Sequence, residues 1–86
     1  MNINAIDDTT RKAINKCIDN VNELYKSAKK DRKDARECKD RDHAYYLYGL
    51  AHGCEEHAMG ILETIKVIVG KDVVRDGGDK MHYAHI

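Results

Sequence analysis

DHAYYLYGLAHGCEEHAMGILETIKVIVG, residues 42–70, decides the fold. Leu47, Leu50, Ala51, Cys54, Ala58, Ile61, Leu62, Ile65, Ile68 and Val69 recur in it at steps of three and four. That spacing gathers them on one stripe of an α-helix, whereas a strand needs strict alternation. Asp42 is the expected N-cap, its carboxylate accepting a backbone N–H of the first turn. Gly70 is the expected stop, because the left-handed backbone that closes many helices suits glycine. Inside the helix Gly49, Gly53 and Gly60 each cost about 1 kcal/mol relative to alanine. Gly49 and Gly53, four apart, form with Ala44 a small-residue strip suited to close packing of another backbone. Asp42, His52, Glu55, Glu56, His57, Glu63 and Lys66 interrupt any apolar run of about 18 residues, so no membrane span is expected.

Toward the N-terminus the same periodicity predicts a partner helix. Asp7, Asp8, Thr9 and Thr10 offer cap oxygens, and the acids suit the positive end of a helix dipole. Ile6 is placed to staple onto that first turn. Ala13, Ile14, Cys17, Ile18, Val21, Leu24, Tyr25 and Ala28 follow, thinning to Ala35 and Cys38. The chain therefore reads as one all-α domain over 1–86: a helix at about 8–38, a turn at about 39–42, a helix at about 43–69 and a tail over 70–86. The tail breaks at Gly77–Gly78 and carries apolar Met81, Tyr83 and Ile86. Folded antiparallel, the hairpin sets Leu24 and Ala28 near Ala58 and Cys54, and Ile14 and Ile18 near Ile65 and Ile68. Cys17 and Cys38, three heptads apart, are expected on the core side. A lone hairpin leaves the outer side of each stripe uncovered, so two hairpins are expected to pair as a homodimeric four-helix bundle.

Bulk composition agrees with this reading. The chain has no Pro, Trp or Phe and is 35% charged. That favours long uninterrupted helices over a turn-rich β fold. No N-terminal apolar run marks a signal peptide, so the expected location is the cytoplasm, where the three cysteines stay reduced. The formal charge of zero conceals a polar distribution. Residues 26–41 hold eight Lys and Arg against four acids, while residues 42–64 hold Asp42, Glu55, Glu56 and Glu63 and no Lys or Arg.

The sharpest chemical pattern is Cys54-x-x-His57 with His82-x-x-His85. Helix spacing puts Cys54 and His57 on one side, and thiolate and imidazole are both zinc ligands. Four such donors would make a closed structural zinc site pinning the tail. A rival set is Cys38, His43 and Cys54, or His52 in place of His57. Against both stands the plainer reading of Cys54 as a small core hydrophobe and the histidines as surface groups. No nucleophile–base–orienter arrangement, HExxH, Walker or dinucleotide fingerprint is present, so no enzyme is expected. The tyrosines at 45, 46 and 48 point around the helix, leaving at least one exposed as an interface anchor.

The charged helix with YKSAKKDRKDAREC (25–38) and the glycine-spaced YYLYGLAHGCEEHAMGILE (45–63) resemble the small, proline-free helical proteins of phage and prophage genomes. Among these, anti-CRISPR inhibitors of RNA-guided nucleases are a prominent class. The resemblance implies a non-enzymatic protein-binding module that blocks DNA loading by a CRISPR effector nuclease in the host cytoplasm. The face expected to meet the partner comprises Tyr45, Tyr48, Glu55, Glu56 and Glu63, its acids filling a basic channel. The alternative is a nucleic-acid-associated regulator using residues 26–41, although interleaved acids weaken a phosphate-binding strip.

Overall fold

A computed structural model describes residues 6–76 and 82–86. Two long helices, α1 (Asp8–Glu37) and α2 (Arg41–Val69), form an antiparallel hairpin measuring 52 × 22 × 18 Å. Residues 1–5, the expected break at Gly77–Gly78 and Met81 lie outside the described residues.

Asp7 caps α1, its carboxylate accepting the Thr10 N–H at 2.7 Å. That hydrogen bond holds the Asp7 carboxyl below the usual range. At the turn the expectation is corrected. Asp40, not Asp42, caps α2, accepting from the N–H groups of Asp42 and His43 at 3.0 and 3.3 Å. The helix therefore begins at Arg41, and Asp42 falls in its first turn, where a negative charge meets the positive dipole end. Three residues, Cys38, Lys39 and Asp40, make the whole connection without glycine or proline. Gly70 ends α2 in the left-handed region (φ 81°), as expected, with its N–H on Lys66 O at 2.8 Å.

The buried residues of both helices follow a seven-residue repeat. With Ile14, Val21, Ala28 and Ala35 as position a of α1, its other buried positions are Ile18 and Tyr25 at e. In α2, Ala51, Ala58 and Ile65 occupy a and Val69 occupies e. The helices thus bury a and e rather than a and d. This overturns the placement of Cys17 in the core: at position d it is exposed. Leu50 and Ile68, also on the expected stripe, are 41% and 39% exposed. Ile6 buries into the same core cluster as Ile14, Ile18 and Tyr83.

The e side is chosen because the chain returns to cover it. Beyond Gly70, residues 71–76 and 82–86 run antiparallel, with Asp76 N–H on His82 O at 2.7 Å and Ala84 N–H on Val74 O at 2.8 Å. These bonds flank the Arg75–Tyr83 pair, so the N–H and C=O of Tyr83 face away from Arg75. Asn22 of α1 meets them there. Its Oδ1 accepts the Tyr83 N–H at 2.7 Å, and its Nδ2 donates to Tyr83 O at 3.0 Å. Asn15 repeats the pattern on Ile86, at 2.7 and 3.3 Å. Seven helical residues rise about 10.5 Å, and three extended residues span about 10 Å, so the two amides match the return segment's register. Tyr83 is thereby buried, its ring stacked 6.0 Å from that of Tyr25. Val73 and Ile86 pack beside it, while Val74 points outward at 69% exposure.

Asn22→Ala strips both partners from the Tyr83 backbone. Leaving part-buried amide groups unpaired costs about 1–2 kcal/mol. The expected result is amide exchange at Tyr83 roughly tenfold faster, with amides in mid-α1 and mid-α2 unchanged. An unaltered Tyr83 rate would refute the role given to Asn22.

Candidate functional surfaces

The chemistry-bearing residues fall on three surfaces: the turn-proximal face of α2, the edge covered by the return segment, and the outer face of α1.

On the covered edge, Arg32 and Glu55 form a two-pronged ion pair. Nε of Arg32 donates to Oε2 of Glu55 at 3.2 Å and its second guanidinium nitrogen to Oε1. Both residues occupy position e, continuing the register of Ile18 and Tyr25 in one helix and of Leu62 and Val69 in the other. Helical side chains lean toward their N-termini, so Arg32 leans away from the turn, Glu55 leans toward it, and they converge. The guanidinium's hydrogen bond holds the Glu55 carboxyl below its usual range, and the carboxylate raises Arg32 further. Glu55 was expected on an open partner face. It is instead part-buried and neutralised within the chain, whereas Glu56 and Glu63 are exposed. Glu56 pairs with His52 at 3.1 Å.

With Tyr25, Met59, Leu62, Val73, Arg75 and Tyr83, these acids border a cavity of about 610 Å³ between α2 and the return segment. The Arg75 guanidinium lies 5.9 Å from the Tyr83 ring centre, so an internal cation already occupies that aromatic face. Burial, with the neighbouring Tyr83, pushes the Tyr25 phenol up.

The expected zinc ligands are not gathered. Cys54 and His57 occupy positions d and g of α2, on the side away from the return segment. His82 faces Asp76 at 3.3 Å, and His85 meets Asp19 of α1 at 2.6 Å. In the rival set, Cys38 donates to Asp40 O at 3.4 Å, and His43 stacks on Tyr46 with ring centres 6.1 Å apart. Among the described residues no group of three or more His, Cys, Asp and Glu side chains is placed to hold a metal ion. The tail is fastened by asparagine amides, a device that metal-ligand spacing does not reveal. The only sequence signal for it is Asn15 and Asn22 standing seven apart beside an apolar stripe.

The three tyrosines are all exposed: Tyr45 and Tyr46 by more than 60%, Tyr48 by 37%. Arg41 lies over Tyr45 at 5.8 Å, one turn earlier on the same face. Every large hydrophobic side chain described as exposed belongs to α2 or follows it, and none belongs to α1. No atom outside the helix's own turn approaches within 4 Å of where a Cβ would stand at Gly49, Gly53 or Gly60. The glycine strip therefore faces outward, not against α1.

On α1 the charges that interleave in sequence separate in space. Lys26, Lys29, Lys30, Lys33 and Arg36 occupy positions b, c and f and are exposed. Asp31 and Asp34 occupy d and g and are half-buried.

No helix among the described residues is long and apolar enough to cross a membrane. No protein-family model matches the chain, and no curated protein or solved structure is significantly similar to it.

The depressed Glu55 carboxyl gives a signed pH dependence. Its stabilisation is present above the unfolded-state value and is lost as pH falls through the lower folded-state value. For a pair about a third exposed the effect is at most about 1 kcal/mol. Denaturation midpoints should therefore favour wild type over Glu55→Gln at pH 7, and the gap should narrow as the pH is taken down through and below the usual carboxylate range. A gap that persists in acid would assign the loss to packing rather than charge.

Proposed function

We propose that the protein is a non-enzymatic binding module that presents the outer face of α2 to a protein partner. The observation that carries this is the one-sided exposure: Tyr45, Tyr46, Met59 and Val67 all project from α2. Tyrosines are rigid, amphipathic anchors enriched at interface hot spots. The adjoining Glu56 and Glu63 give this face an acidic border, so a basic partner surface complements it. In the form implied by the resemblance to phage inhibitors, that surface is the nucleic-acid channel of an RNA-guided nuclease, which is positively charged along its length. Glu55 has no part in this face, because Arg32 holds it.

Adding the chain to an RNA-loaded nuclease should lower the DNA retained in a mobility-shift assay. Glu56→Lys with Glu63→Lys should raise the half-inhibitory concentration at least tenfold, and Tyr45→Ala with Tyr46→Ala should do likewise. Undiminished DNA loading at saturating chain would reject the nuclease as partner. Full potency in both double variants would reject this face.

A second reading, a nucleic-acid-associated regulator, draws support from the sorted charges of α1. None of Lys26, Lys29, Lys30, Lys33 and Arg36 makes a salt bridge among the described residues. Five such contacts predict that log K for duplex DNA falls with log salt at a slope of about −4.5. Lys29→Glu with Lys33→Glu should flatten that slope. Absence of DNA binding at low salt would remove this reading.

A further inference from the structure

The two edges of the hairpin differ. The return segment covers the e edge, but the d and g edge is only partly covered: Leu24 and Ile61 pack on the core, whereas Cys17, Leu50 and Ile68 are exposed. Between residues 10 and 27 of α1, and between 47 and 68 of α2, none of these positions holds Lys, Arg, Asp or Glu. They border a largely apolar groove of about 620 Å³ lined by Ala13, Cys17, Ile61, Ile65 and Ile68, with Glu56 and His57 on its rim. The total accessible surface is 6138 Å², whereas a compact monomer of 9.8 kDa exposes about 5,200 Å². The excess of roughly 900 Å² is close to the ~800 Å² that each partner contributes to a standard protein interface.

We propose that a second copy of this chain docks on this open edge, giving a four-helix bundle whose core joins positions a, d and e. An edge whose d and g positions are uncharged, shared by helices of 30 and 29 residues, can meet its own copy, as a two-fold interface requires. The charged side chain at the groove is Glu56, on its rim beside His57, and Glu56 already pairs with His52. Orientation follows from Asp31 and Asp34, the d and g residues nearest the turn. Turns at the same end would set these acids against their own copies, so the two hairpins stack with their turns at opposite ends.

Sedimentation equilibrium of the full chain tests this, with an expected mass of twice the 9.8 kDa of one chain. Leu50→Lys with Ile68→Lys changes residues already 41% and 39% exposed in the single hairpin. That variant is expected at one chain mass with its circular-dichroism helix signal intact. A one-chain mass for the unaltered protein throughout the micromolar range overturns the proposal, as does a two-chain mass for the variant. Should the variant lose its helix signal, alkylation of Cys17, mapped by peptide mass spectrometry on the unaltered protein, decides. Modification several-fold slower at high chain concentration than at low supports the bundle, and a rate independent of concentration overturns it.

Discussion

The side-chain amides of Asn15 and Asn22 fasten the return segment to α1, and the division of the hairpin into a covered and an open edge follows from that contact. An amide carries a donor and an acceptor on one rigid plane, as a peptide unit does. Each asparagine can therefore serve a strand residue as a neighbouring strand would. Aspartate at either position would accept the N–H but leave the carbonyl without a donor. With the return segment in place, Tyr83 closes over Tyr25 and position e becomes interior, although α1 alone presents d and e almost symmetrically about a.

Packing along the hairpin is graded from that same end. Away from the turn the buried layer is built of Ile14, Ile18, Val21, Tyr25, Ile65 and Val69, and nearer the turn only Ala28, Ala35 and Ala51 remain. Alanines bring the helices close but bury little apolar area, each methylene-sized group contributing about 0.8 kcal/mol. Here the e register turns from apolar to ionic. Arg32 and Glu55 replace the hydrophobic contact with a paired charge. The turn-proximal third thus rests on helix propensity, two caps and one ion pair, and it is the part expected to open first in local unfolding. Tyr45 and Tyr46 stand on this less tightly packed third, where small backbone adjustments to a partner cost least.

The hairpin itself was legible because it rests on local rules. Three- and four-residue periodicity, the cap at Asp7 and the stop at Gly70 each depend on a few neighbouring residues. Asp40 and Asp42 are chemically equivalent caps two residues apart. Choosing between them required the backbone, since the tighter connection follows only once the helices are packed. Cys17 was misplaced for a different reason. Its spacing from Ile14 and Val21 is that of a core residue, and nothing local says which flank of the stripe the later chain will cover. Glu55 likewise reads as one acid of a surface trio until a base 23 residues earlier is found leaning toward it. Contacts made across long sequence separations, above all those of Asn15 and Asn22, leave no periodic trace, and the histidine spacing pointed to metal donors that the fold does not gather.

Separation of faces reconciles the two kinds of association proposed for this chain. Self-association would use positions d and g; partner binding would use b, c and f of α2; the basic stripe occupies b, c and f of α1. A pair of hairpins with turns at opposite ends would display two tyrosine-bearing faces, one at each end of the bundle. Linking two such faces raises avidity only where a partner offers two sites at that span, and otherwise leaves each face to act alone. Side-by-side pairing would also leave the basic and acidic surfaces outward on different helices, so association through the open edge would not neutralise either one. The physical logic is that a thin two-helix core leaves one apolar edge to cover, and covering it with an identical edge leaves Tyr45, Tyr46 and Glu63 free for recognition of another molecule, with Glu56 alone on the boundary between the two faces.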